Sequence, residues 1–168
     1  MGLDNTFLRL AGVAALVGAA LRLGTAIPSL AIHGLSGERL YFTIDLLLSL
    51  ALVGLFAGVA RFRGWLGGFG FVGALAGFEL IRTGARLGGA EAYTRSAAIL
   101  SLSLAVAGLA LVQGKGLVRY AGAAWLASFV IGLAGTVLHR TEGFFIASLL
   151  FCLGFGLGGA ALLAGRTA

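Results

Sequence analysis

Proline, cysteine and histidine are almost missing from this 168-residue chain, which has one, one and two of them. The lone cysteine, Cys152, has no partner for an intrachain disulfide and sits in an apolar run, where a small packing residue is its ordinary role. Without a Cys-x-x-Cys pair or a histidine cluster, no metal site is expected. His33 and His139 are weak cofactor candidates, since two histidines can in principle hold a haem axially. Haem is not expected here, because His33 lies in a connection with Pro28 and Gly34 rather than on a helix facing a second histidine. The Gly-x-Ser-x-Gly elbow and the Walker lysine loop are also absent. Gly67-Gly68-Phe69-Gly70 lies inside an apolar run and so does not cradle phosphate. The chain reads as non-enzymatic, with no cofactor expected and only a lipid or a flat pigment left as a small-molecule partner.

Charge is scarce too. Only 11% of residues are charged while 60% are hydrophobic, and the mean hydropathy is +1.05. A soluble domain carries about 25% charged residues, and a fold of this size cannot hide so much apolar surface from water. The solvent is therefore a bilayer. The formal charge of +6 does not point to nucleic acid, because the basic residues are scattered over short connections rather than gathered on one face.

What remains is long apolar runs rich in glycine, which occurs 29 times without a collagen-like period. A spanning helix needs about 20 mostly apolar residues. Six segments meet that need, over 6–23, 41–60, 65–85, 96–112, 117–138 and 144–164. The expected fold is all-α, a polytopic transmembrane bundle of six helices forming one integral-membrane domain over 1–168. The runs lack the alternation of a barrel strand. The first run continues through Arg22 without a convincing cleavage site and is expected to be retained. Met1-Gly2-Leu3-Asp4-Asn5-Thr6 fits the short myristoylation pattern, which a membrane-spanning chain does not need.

An even number of spans puts both termini on one side. That side holds six basic residues and the other side also six, but five of the six acids fall on the second. Those acids can pair with their neighbouring arginines and leave the first side's bases as orientation signals. Both termini are therefore expected in the cytoplasm, in a bacterial inner membrane. The chain also divides into three helix hairpins of roughly 50 residues, a period worth testing as a repeat. Glu38 precedes Tyr41-Phe42, Glu91 precedes Tyr93, and Glu142 precedes Phe144-Phe145. Leu87 to Arg95 reads as one of the longer, mixed-charge connections.

Small residues recur at three- and four-residue spacing, as Ala11, Ala15 and Ala19, Gly70, Gly73 and Gly77, and Gly132 and Gly135, while Gly154, Gly156, Gly158 and Gly159 crowd the sixth segment. Such faces let helices approach closely in lipid. They serve packing within the bundle, and they also suit a partner helix or a pigment.

One constellation interrupts the apolar pattern. Glu79, Arg82 and Arg86 share a helix face at i, i+3 and i+7. Arg22 closes the first segment at a similar depth, and Asp45 lies one turn inside the second. These five residues, Asp45, Glu79, Arg82, Arg22 and Arg86, are the candidate ligand- or ion-binding site, because an acid in lipid needs a partner and cannot snorkel far. Interfacial ion pairing is the competing structural account.

The expected role is an accessory or scaffolding subunit of a larger membrane assembly, with lipids and other subunits or a second copy as partners and no nucleic acid. The alternative is a small transporter or channel with a polar site near the non-cytoplasmic face. A membrane enzyme acting on a lipid is third.

Overall fold

The computed structural model describes residues 5–26, 37–87 and 89–165, and within them it has six α-helices and no strand. They are α1 (Asn5–Ala26), α2 (Gly37–Gly58), α3 (Trp65–Leu87), α4 (Gly89–Leu111), α5 (Gly116–Val137) and α6 (Thr141–Leu163). At 1.5 Å per residue each is about 33 Å long, which matches a hydrocarbon core of about 30 Å. The fold is the expected helical bundle.

The even helices start earlier than the apolar runs suggest: α2 at Gly37 rather than 41, α4 at Gly89 rather than 96, and α6 at Thr141 rather than 144. In each case an acid, Glu38, Glu91 or Glu142, sits in the first turn. A carboxylate there interacts favourably with the unpaired N–H groups and the positive end of the helix dipole. The residues from Leu87 to Arg95, expected as a connection, are therefore mostly the start of α4. α2 ends at Gly58 rather than 60, and after Val59 the chain makes one 3-10 turn, Ala60–Arg63, before α3.

Five of the six helices are long and apolar enough to cross a membrane by length and composition, which marks an integral membrane protein. α3 is the exception among the six expected spans. Glu79, Arg82 and six glycines dilute its apolar character. It still runs antiparallel to α4: a side chain at Gly70 would strike Ala107 and Ser103, and one at Gly77 would come 2.8 Å from the Leu100 Cα. Glycine at these positions is what lets the two backbones touch.

Each helix packs on the next in sequence, and α6 closes the ring on α1. The pairs α1–α2, α3–α4 and α5–α6 form three consecutive antiparallel hairpins. The thinnest neighbouring seam is α2–α3. Most of the small-residue positions are spent inside the ring, while Gly156 faces open space. Ala11, Ala15 and Ala19 are buried, Gly159 meets Ala15 and Gly12, Gly158 meets Leu55, and Gly135 meets Gly143.

One end of the ring is filled by aromatic side chains. The 3-10 turn carries Phe62 inward to full burial, and its carbonyl packs on Gly67, where no side chain would fit. Phe62 approaches Phe56 at 5.9 Å and Trp125 at 6.5 Å between ring centroids, and Trp125 meets Phe155 edge-on at 5.0 Å. Phe56 stacks on Phe71 at 4.3 Å, joining α2 to α3 near the turn. Gly154 leaves room for the Trp125 indole against the α6 backbone. Edge-on and offset contacts of this kind add about 0.5–1.5 kcal/mol each beyond simple burial.

Candidate functional site

Above this aromatic plug the ring is hollow. A cavity of about 1340 Å³ is lined by residues of all six helices and opens at the end opposite the 3-10 turn. Its floor includes Phe78 and Phe151, which rest on Phe155 of the plug. The topology explains the one-sided opening. α2–α3 and α4–α5 are joined by short connections at the plugged end and pinned there, by Phe56 on Phe71 and by the close approach of Gly108 to Gly122. Beyond these contacts, residues of all four helices line the cavity. The hairpins α3–α4 and α5–α6 turn at the open end and stay close there, through Gly77 on Leu100 and Gly135 on Gly143.

On α2, Glu38, Tyr41, Phe42, Asp45 and Leu48 form a single stripe facing the cavity. Their spacing of three and four residues places them on one helix face. Asp45 is the deepest acid of the stripe. Across the α2–α3 seam stands Arg82, whose Nε lies 4.0 Å from Asp45 Oδ2. The side chains keep 15% and 20% of their surface exposed, so both are largely desolvated yet still reach the cavity. Arg82 Nη1 donates to Glu79 Oε1 at 2.8 Å, while Arg82 Nε is buried with no hydrogen-bond partner. The guanidinium also lies over the Phe42 ring, 5.0 Å from its centroid, within the roughly 6 Å range of a cation–π contact. Arg82 is thus the polar link across the seam at the open end, as the Phe56–Phe71 stack is the apolar link at the plugged end.

Arg22 enters from α1. It lies over Tyr41 at 5.7 Å, donates to Thr25 Oγ1 at 3.4 Å, and lines the cavity. Its charge, like that of Arg82, acts on Asp45. Two wall hydroxyls are satisfied by backbone: Ser128 donates to the Ala147 carbonyl at 2.7 Å, and Thr83 donates to the Glu79 carbonyl at 2.9 Å.

The structure brings four of the five expected site residues together: Arg22, Asp45, Glu79 and Arg82 all line the cavity. Arg86 is on α3 one turn further on, and its side chain lies outside the described residues. His33 also lies outside them. His139 is in the α5–α6 turn with φ of 51° and does not line the cavity. Glu91 and Arg95 pair with each other at 2.5 Å on the surface, with 78% and 77% of their side chains exposed. Among the described residues, no group of three His, Cys, Asp or Glu side chains is placed to hold a metal ion.

Two contributors escape a reading of single segments. Tyr41 and Phe42 look like ordinary belt aromatics, but each carries an arginine on its face. The signal for them was the stripe they form with Glu38 and Asp45. The serine and alanine positions of α4 that widen the cavity, Ala97, Ala98 and Ser101, carry no signal of their own.

No family model matches the chain, and neither the curated proteins nor the solved structures contain a significant match to it. The site is therefore read from its own geometry.

Proposed function

We propose that this membrane protein binds a lipid-sized amphiphile in the one-ended cavity, with the apolar body among α4, α5 and α6 and the head at Asp45, Arg82 and Arg22. The observation that carries this reading is the cavity itself. Its volume of about 1340 Å³ exceeds the roughly 300–1,000 Å³ of ordinary small-molecule sites. The walls are mainly apolar, and the charged groups gather at one end. That division matches an amphiphile rather than a hydrated solute or a bare ion.

The scaffold reading has no comparable support, because most of the small-residue positions that would suit a partner helix are used within the chain. The transporter alternative shares the cavity but needs the plug around Phe62, Trp125 and Phe155 to part. We place both termini in the cytoplasm of a bacterial inner membrane, with the cavity opening outward. This orientation is supported by Arg9, Arg63, Lys115 and Arg119, which are exposed around the plugged end.

Purification in mild detergent followed by native mass spectrometry tests the reading. A lipid-sized molecule should be retained at about one per chain. Ser101→Trp, which puts a large ring into the cavity, should lower retention sharply, while Val130→Trp on the 60% exposed outer face of α5 should not. A protein that retains nothing, or retains the same lipids after Ser101→Trp, would overturn it.

A further inference from the structure

The charged wall of the cavity is incompletely hydrogen-bonded, and the pattern of unmade bonds specifies a head group. The 4.0 Å between Arg82 Nε and Asp45 Oδ2 is longer than the roughly 3.2 Å limit of a good N–H···O bond. Among the described residues, Asp45 accepts no hydrogen bond, and Arg82 donates only one, to Glu79. Nε itself is covered. A ligand is thus left the Asp45 carboxylate and the outer part of the Arg82 guanidinium, side by side on the α2 and α3 walls. Unmade bonds at largely desolvated groups are unfavourable, so a ligand that completes both gains by it.

The two groups ask for opposite things. A carboxylate only accepts, and a guanidinium only donates. An anionic head would satisfy Arg82 but face Asp45 and Glu79. A cationic head would satisfy the acids but face Arg82 and Arg22. Among the described residues, the charged side chains lining the cavity are Glu38, Asp45 and Glu79 against Arg22 and Arg82, a set with no positive excess to draw an anion. One group meets both demands without adding charge: a hydroxyl, which donates to Asp45 while accepting from Arg82.

We propose that the cavity selects a lipid with an uncharged hydroxyl head, held between Asp45 and Arg82; this rests on the cavity being an amphiphile site. Phe42 fixes the plane of the guanidinium by stacking, and Glu79 holds its far edge, so the donor presented to the ligand is preoriented. Sites built around a substrate hydroxyl discriminate strongly against analogues without it, because their own polar groups are then left unpaired.

Three probes with identical chains test the proposal: 1,2-dioleoylglycerol, its 3-O-methyl ether, which can accept but not donate, and dioleoyl phosphatidate. Binding to the full chain in phosphatidylcholine nanodiscs is measured by native mass spectrometry titration. Dioleoylglycerol should bind at least about tenfold more tightly than either analogue. Asp45→Leu should collapse the preference for the hydroxyl over the ether while both still bind, an effect that a merely structural aspartate would not produce. If that variant does not fold, the near-isosteric Asp45→Asn should lower the same ratio by a smaller factor, since an amide accepts more weakly than a carboxylate. Preference for phosphatidate would overturn the proposal, as would an unchanged ratio in both Asp45 variants. Equal binding of all three lipids, sharply lowered by Ser101→Trp, would overturn the head-group assignment but leave the amphiphile site standing. Binding of none, with nothing retained on purification, would end both.

Discussion

At the end of the bundle that carries the 3-10 turn, Phe62, Trp125 and Phe155 are sealed from solvent, with at most 1% of their surface exposed. At the other end the same six helices surround a space of about 1340 Å³, with Asp45 and Arg82 in its wall. Both halves are rich in glycine and apolar residues, although five of the six acids lie toward the open end. What separates them is where the chain turns. Pairs joined at the plugged end are pinned there by large aromatic side chains and by Gly108 on Gly122. At the other end residues of the same pairs line the cavity, and Arg82 of α3 meets Asp45 and Phe42 of α2. A helical bundle can therefore hold a tightly packed half and a receptive half within a single ring.

The comparison breaks most readily at the plug. Trp125→Ala should cost about 3–5 kcal/mol of stability, the range for large aromatic deletions in packed interiors. Phe144→Ala at the open end, where the ring is 51% exposed, should cost less than about 1 kcal/mol. Thermal unfolding of both variants in one detergent checks the contrast, and equal losses would mean that the plug is no tighter than the mouth.

Next in size is a backbone test. Gly77→Val puts a side chain against the Leu100 backbone and should cost about 1–3 kcal/mol through overpacking. Gly132→Ala, whose added methyl would lie 3.5 Å from Ala147, should change the unfolding temperature little. A smaller effect is expected from Asp45→Asn. It weakens the link across the seam and should cost about 1 kcal/mol, because the pair is only partly buried and 4.0 Å apart. The smallest belongs to Glu91→Gln. Its pair with Arg95 is exposed, and pairs of that kind contribute about 0–1 kcal/mol. A Glu91→Gln loss matching that of Asp45→Asn would remove the distinction between the cavity wall and the surface.

The helical class and the apolar spans were legible because continuous apolar runs of bilayer length leave little choice. The gathering of Arg22, Asp45, Glu79 and Arg82 was legible from depth along the runs and from helical spacing. That Asp45 faces Arg82 across a seam was not, since spacing relates residues within a helix and says nothing of which helices become neighbours. The starts of α2, α4 and α6 were placed late because hydropathy scores glutamate as a loop residue, whereas a helix N-terminus welcomes it. That same preference accounts for the acid-then-aromatic pattern at the head of each hairpin. The inward turn of Phe62 was hidden for a related reason: Arg61 and Arg63 flank it and make the segment read as a basic loop.

The marginal apolarity of α3 bears on how the protein is made. A segment diluted by Glu79, Arg82 and six glycines has a weak intrinsic tendency to leave the insertion machinery for lipid. Its glycine face, however, fits α4, which follows after a single residue. During synthesis α3 is expected to wait for α4 and to enter the bilayer with it as a pair. The charged wall of the cavity would then be delivered by a helix that does not commit to the membrane alone.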